Sequence, residues 1–269
     1  MALDAHIVGD NVDVGGNVKV ALTNDPTYVG SVRSFSENDP GNATGIPLLR
    51  SAETSMDFRL RTGTDSIWDT EQFNYVAQNT SKHKYTSTTM TMTWAGGALN
   101  TNGSSITTTA TAAQLQTYRY FPLLGSGTIY AETTMCLSNA MPTNVNLDFG
   151  LMTLAAAGTS APTDGIYFRI NSAGIVGVIN SNGTETTTSA MTFTQSINVF
   201  AKFLICINQS EVEFWIDDVL MKSVNRGAGV SQPIYAASAP FAIRHHNTGV
   251  AGAVVQGKFG GYSVSEGDM

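Results

Sequence analysis

Glu211, Glu213 and Asp217 come nearest in this sequence to a set that could do chemistry. Residues two apart share one face of a strand, so Glu211 and Glu213 would present paired carboxylates. Hydrolysis of a glycosidic bond uses such a pair, one as acid and the other as base or nucleophile. The intervening Val212, Phe214 and Ile216 give an equally good account. On that account the glutamates are the solvated face of an ordinary strand. The alternation also fails at the third carboxylate, Asp217. His245 and His246 are adjacent, so on a strand they point to opposite faces and cannot chelate one metal together. His6 and His83 are isolated, and no Cys/His spacing suggests zinc. There is no Gly-x-Ser-x-Gly elbow and no phosphate loop. The expectation is therefore no catalytic residue, no metal, no cofactor and no enzyme. Trp68, Trp94 and Trp215 could build a sugar-stacking platform, although aromatics more often fill a core or anchor an interface. Trp215 alternates with Phe214, so one of the two must face away from the core. Trp215 is thus the candidate interfacial aromatic.

The elements that would position these groups are short strands. Asp164 to Leu220 sets the pattern. Ile166 to Ile170 and Gly174 to Ile179 lead to Asn182-Gly183, and Val199 to Ile207 is followed by Val212 to Ile216 and Asp217-Asp218. Apolar runs punctuated by turn residues read as an antiparallel meander. Asn-Gly suits a tight hairpin because both residues tolerate positive φ. Met56, Phe58 and Leu60 alternate with Arg59 and Arg61, and Thr128 to Leu137 and Val145 to Met152 alternate in the same way. Ala112 to Leu115 allows one helical turn. Roughly a dozen strands at this spacing give an all-β sandwich.

Composition narrows the partners. The chain of 269 residues is 42% hydrophobic but only 13% charged, with net charge −7. The Lys82-His83-Lys84 triplet is its longest basic run, and a basic patch could come only from scattered Arg33, Arg50, Arg59 and Arg61 brought together by folding, which the acidic balance opposes. Nucleic acid is therefore not an expected partner. No apolar run approaches the ~20 residues of a membrane helix, and the N-terminus lacks the pattern of a secretory signal. The product is expected to be made in a cytoplasm and to reach any outside location by assembly or lysis. Cys136 and Cys206 each sit among apolar neighbours and read as buried free thiols, with a disulfide as the alternative.

Residues 1–50 read differently from residues 51–269. Val12, Val14, Val18 and Val20 share one alternating face, and Asn24-Asp25-Pro26 and Asn38-Asp39-Pro40-Gly41 interrupt the chain with turns. This is too little to form an independent core. It reads either as an extended arm packing those valines on a neighbouring subunit or as an extension lining its own domain.

Three fragments together resemble a concanavalin-like (laminin-G-like) jelly-roll sandwich. They are Asp148-Phe149-Gly150-Leu151 leading to Asp164 to Arg169, then Gly174 to Val178, then Val212 to Leu220. The resemblance covers about residues 67 to 265. It implies that Lys258 to Val264 returns to pair near the first strand. Glycosidases of related sandwiches alternate Glu, Asp and Glu, a motif that Glu211 and Glu213 do not complete. Laminin-G-like domains often hold a calcium at a loop rim, which makes Asp148, Asp164 and Asp217 candidates. Asp10, Asp13 and Asn17 do not match an EF-hand. Low charge, high Thr content and segments such as Asp69 to Tyr75 and Trp94 to Asn102 are similar to virion structural proteins of tailed bacteriophages. That resemblance implies a capsid decoration (cement) protein, homotrimeric and bound to the major capsid protein or other virion proteins. Its alternative is a carbohydrate-binding module of a tail fibre or baseplate, with a glycan as partner.

Overall fold

The structure, a computed structural model, describes residues 66–102, 111–123, 127–156, 158, 160–208, 210–225, 236–249 and 254–267. The arm with Val12, Val14, Val18 and Val20, the boundary after residue 50, and the alternation of Met56, Phe58 and Leu60 lie outside the described residues. So do Asp10, Asp13, Asn17 and Arg33, Arg50, Arg59 and Arg61.

Every regular element among the described residues is a strand. In chain order these are β1 (Ser66–Gln72), β2 (His83–Thr88), β3 (Thr91–Ala95), β4 (Ala98–Asn102), β5 (Thr111–Pro122), β6 (Thr128–Leu137), β7 (Val145–Thr153), β8 (Asp164–Asn171), β9 (Gly174–Ser181), β10 (Thr184–Thr187), β11 (Ala201–Ile207), β12 (Glu211–Ile216), β13 (Val219–Asn225), β14 (Ser238–Asn247) and β15 (Gln256–Gly267). They form two antiparallel sheets. One has seven strands in the order β10-β9-β8-β7-β14-β5-β2. The other has eight, in the order β13-β12-β11-β6-β15-β4-β3, with β1 also paired to β15. The expected all-β antiparallel sandwich is therefore what this chain forms. The closing strand does return to the first, with Tyr262 opposite Glu71 and Ser263 opposite Thr70.

Period-two alternation sends one set of side chains from each sheet inward. Phe149 and Phe168 from the seven-stranded sheet meet Phe203, Phe214 and Phe259 from the other. The Phe149–Phe203 and Phe168–Phe214 centroids are each 5.1 Å apart and edge-on. This is the favoured geometry for quadrupolar rings. Gly177 makes room for it, since a Cβ there would lie 2.5 Å from the Phe214 ring.

The hairpin at Asn182-Gly183 forms as read, with φ of 49° and 80°. Asp217-Asp218 makes a similar turn without glycine, at φ of 47° and 63°. Asp217 stabilises it by accepting the Lys202 N–H on Oδ1 at 2.8 Å. Two expectations are corrected. Asp164 to Leu220 is not one meander. β8, β9 and β10 belong to the seven-stranded sheet, whereas β11, β12 and β13 belong to the other. The connecting segment spans the core edge, where Met191 N–H donates to Ile175 O at 2.8 Å and Phe193 packs edge-on against Phe203. Ala112 to Leu115 is not helical but lies within β5. There Ala113 and Leu115 enter the core while Gln114 and Gln116 point outward, so packing between two strands overrides the helical preference of alanine.

Candidate functional site

The outer face of the seven-stranded sheet carries chemistry that its strand sequences place there by alternation. Register sets Thr86, Gln114, Arg244, Asp148 and Arg169 side by side on β2, β5, β14, β7 and β8. The neighbouring row is Lys84, Gln116, Ala242, Gly150 and Tyr167. Gly150 is required in that row. Its φ is +146°, and a Cβ would lie 2.8 Å from the Ile166 carbonyl oxygen.

One half of this face is an ion network. Arg169 donates from Nε to Asp148 Oδ1 at 2.7 Å and from Nη2 to Oδ2 at 3.2 Å. Arg244 donates from Nη1 to the same Oδ2 at 3.0 Å. Arg169 also reaches Glu185 Oε2 at 2.6 Å and Oε1 at 2.9 Å, and Tyr167 donates its hydroxyl to Glu185 Oε1 at 2.7 Å. The Asp148 side chain is 0% exposed and that of Arg244 1%. Two acids against two bases leave this group neutral. Burial pushes the Glu185 carboxyl up, but the hydrogen bonds from Arg169 and Tyr167 and the arginine charges outweigh it and hold the group below the usual carboxylate range. A general acid for sugar cleavage is tuned the other way. The segment after β7 covers the network. Arg244 Nε donates to Gly158 O at 3.1 Å, and Asn180 Nδ2 donates to Pro162 O at 2.7 Å. Leu154 and Val176 pack there on Met152, Tyr167, Val178 and Ala242, a second small apolar cluster.

The other half is a depression of ≈ 220 Å³ between that covering segment and β2 and β5. It is lined by Lys84, Thr86, Gln114, Gln116, Tyr120 and residues 154–156. Gln114 is 5% exposed and Tyr120 50%. The Gln114 Nε2 has no hydrogen-bond partner among the described residues. A buried donor without a partner costs roughly 1–3 kcal/mol, so an occupant that accepts from it would recover that free energy. An amide pair, a hydroxyl and a half-exposed ring converge on this concavity, and polar groups of this kind fix the orientation of a bound molecule.

The residues singled out by sequence land elsewhere. Glu211, Glu213 and Trp215 alternate with buried Val212, Phe214 and Ile216, which places them on the outer face of the eight-stranded sheet, the opposite side of the sandwich. Glu213 Oε2 accepts from the Trp215 indole at 2.8 Å, and Glu211 accepts from the Ser223 hydroxyl. Trp215 does face away from the core, partly buried rather than free. Of the calcium candidates, Asp148 is held by arginines, Asp164 accepts the Asn182 N–H at 2.9 Å and Asp217 caps its turn. No three metal-ligating side chains come together among the described residues. His245 and His246 point to opposite faces as read, and His245 Nδ1 lies 2.9 Å from Thr101 Oγ1 within the interior. Cys136 and Cys206 are free and buried, and burial pushes the Cys206 thiol up to about 12. Sequence reading missed the Asp148 network and the Gln114 depression. The available signal was charged or amide residues at the outward positions of β5, β7, β8 and β14, between apolar residues that enter the core.

No protein-family model matches this chain, and none of the curated proteins does. Solved structures do match. The carbohydrate recognition domain of Emp47p is similar over 80% of this chain and 100% of its own, with a TM-score of 0.54 at 10% identity. A β-glucanase of Bacillus licheniformis covers 78% of this chain and 100% of its own, with a TM-score of 0.52 at 12% identity. A β-1,3-glucanase of Mycobacterium marinum covers 76% and 100%, with a TM-score of 0.52 at 11% identity. The fold is thus the concanavalin A-like jelly-roll sandwich that the sequence fragments resembled. The expectation that the chain is not an enzyme is corrected by the same comparison. It rested on a missing carboxylate motif, yet the matching folds include glucanases. Function on such a scaffold is set by the site rather than the fold.

Proposed function

We propose that this protein engages a saccharide chain on the outer face of its seven-stranded sheet, at the depression beside Gln114. The carrying observation is the Gln114 amide, buried and without a partner among the described residues, in the lining of a polar concavity. Gln116 and Thr86 add further donors and acceptors along the same two strands. Tyr120 supplies an exposed ring on which the apolar face of a sugar can stack, and a tyrosine keeps a polar tip in water while doing so. The carbohydrate recognition domain and the glucanases with this fold support the reading.

A glycan array followed by calorimetry tests it. Tyr120→Ala removes a half-exposed ring. It should weaken binding by about 1.5 kcal/mol, roughly tenfold, and leave thermal stability nearly unchanged. Trp215→Ala, on the opposite face, should leave binding unaltered. The reverse pattern would move the site to the Glu213–Trp215 face. The same panel, followed for release of reducing ends, separates recognition from cleavage. A virion setting with the major capsid protein as partner is a second proposal about context. The 13% charge content supports it, and immunolabelling of particles tests it.

A further inference from the structure

We infer that the depression takes an acidic saccharide residue, whose anionic substituent lies against Lys84 and the Gln114 amide. This inference rests on the saccharide reading above and narrows its substrate class. The lining is one-sided in its charges. Lys84 contributes an ammonium, and no carboxylate stands among the lining residues. Lys84 forms no ion pair with any described residue, unlike Lys82, which is held by Asp69 at 2.8 Å and Glu71 at 3.3 Å. The nearest carboxylate in the same row system is Asp148, and Arg169 and Arg244 already engage both its oxygens. Glu185 is likewise committed to Arg169 and Tyr167. The neighbouring network is thus neutral, and the Lys84 charge is not cancelled from that side.

Lys84 and Gln116 are register partners on β2 and β5, and Thr86 and Gln114 are the next outward pair. Lys84 and Gln114 therefore border the depression from neighbouring positions of one strand pair, Lys84 exposed and the Gln114 Nε2 buried against Gly158 without a partner among the described residues. Both are donors. A neutral sugar offers hydroxyls, which donate as well as accept and gain most from a site containing acceptor carboxylates. A carboxylate or sulfate only accepts, and charge-assisted hydrogen bonds to it are about twice as strong as neutral ones. The net charge of −7 opposes an anion at long range. Screening confines that opposition to roughly 8 Å at physiological salt, so the local lysine governs the bound state.

The test uses the full chain and matched tetrasaccharides bearing uronate, sialate or sulfate. Each is paired with its carboxyl-reduced, desialylated or desulfated counterpart. The acidic member of at least one pair should bind about tenfold tighter than its neutral partner. Lys84→Met should erase that preference. Lys222→Met, which makes the same change in net charge on β13 of the other sheet, should keep it. Lys84 is exposed, so its variant should fold normally, and a thermal melt checks this. If neutral members bind as tightly, or if Lys84→Met retains the preference, the acidic-sugar inference is overturned while the saccharide reading stands. If no member of either set binds, both are overturned.

Discussion

Asp148→Ala should destabilise the fold by about 3–5 kcal/mol, the usual cost of removing one partner from a buried ion pair. The substitution deletes few atoms, so the cost comes from what it leaves behind. The Arg244 side chain is 1% exposed and loses its ion pair with Asp148. Burial already draws the Arg244 pKa down, and the Asp148 charge is what opposes that shift. Arg169 keeps Glu185 and suffers less. Arg244 keeps its hydrogen bond to Gly158 O but loses the opposite charge of Asp148 that offsets its burial. Urea unfolding of the variant measures the loss. Asp148→Leu combined with Arg244→Met should recover part of it, because replacing both members by apolar side chains removes the desolvation penalty as well as the attraction. A loss below about 1 kcal/mol for Asp148→Ala would show that water reaches the network and that the face is open rather than covered.

Acid should unfold the protein earlier than its carboxylates alone would require. His83, His245 and His246 each have a pKa lowered from 6.5 to about 4, with burial the first cause in every case. A histidine depressed in the native state stays neutral there while the unfolded chain takes up its proton. Stability is therefore full above pH 6.5 and falls as pH drops from about 6.5 towards about 4. One pKa unit is worth about 1.4 kcal/mol, so the fully buried His245 accounts for up to about 3 kcal/mol across that window, and His83 and His246 for less. Glu185 acts in the same direction at lower pH, because its depressed carboxyl must be protonated as pH falls through its native pKa. Unfolding free energies at pH 7 and pH 5 should differ by several kcal/mol, and His245→Gln should flatten the profile. A profile flat between those values would mean that the histidines take up protons as readily in the native state as in the unfolded chain.

The parts of this fold legible in the sequence were those set by neighbours along the chain. Asn182-Gly183 announces its hairpin because few residue pairs accept two positive φ values. Phe214 and Trp215 announce opposite faces because a strand alternates strictly. The return of β15 to β1 was also legible, through the resemblance rather than through any local rule. What was hidden depends on register between distant strands. Asp148 and Arg244 are 96 positions apart, and nothing local to either says that they become partners. The charged residues near each other in sequence, Glu211 and Glu213, drew attention that the structure does not support, since both sit on the far face with Trp215 and Ser223. Gln114 was obscured for a related reason. The alanines before it suggested a helical turn, and only the strand assignment shows that it lies on the outer face of the sheet, in the lining shared with Lys84 and Tyr120.

The most direct test of saccharide engagement at this face is an amide-shift map, taken with the tightest oligosaccharide from the matched panel titrated into isotopically labelled protein. The side-chain amides of Gln114 and Gln116 and the backbone amides of β2 and β5 should shift together and saturate at one equivalent, while the Trp215 indole stays still. Shifts centred on the Trp215 indole and β12, with the two glutamine amides unmoved, would contradict the account and place the ligand on the opposite sheet.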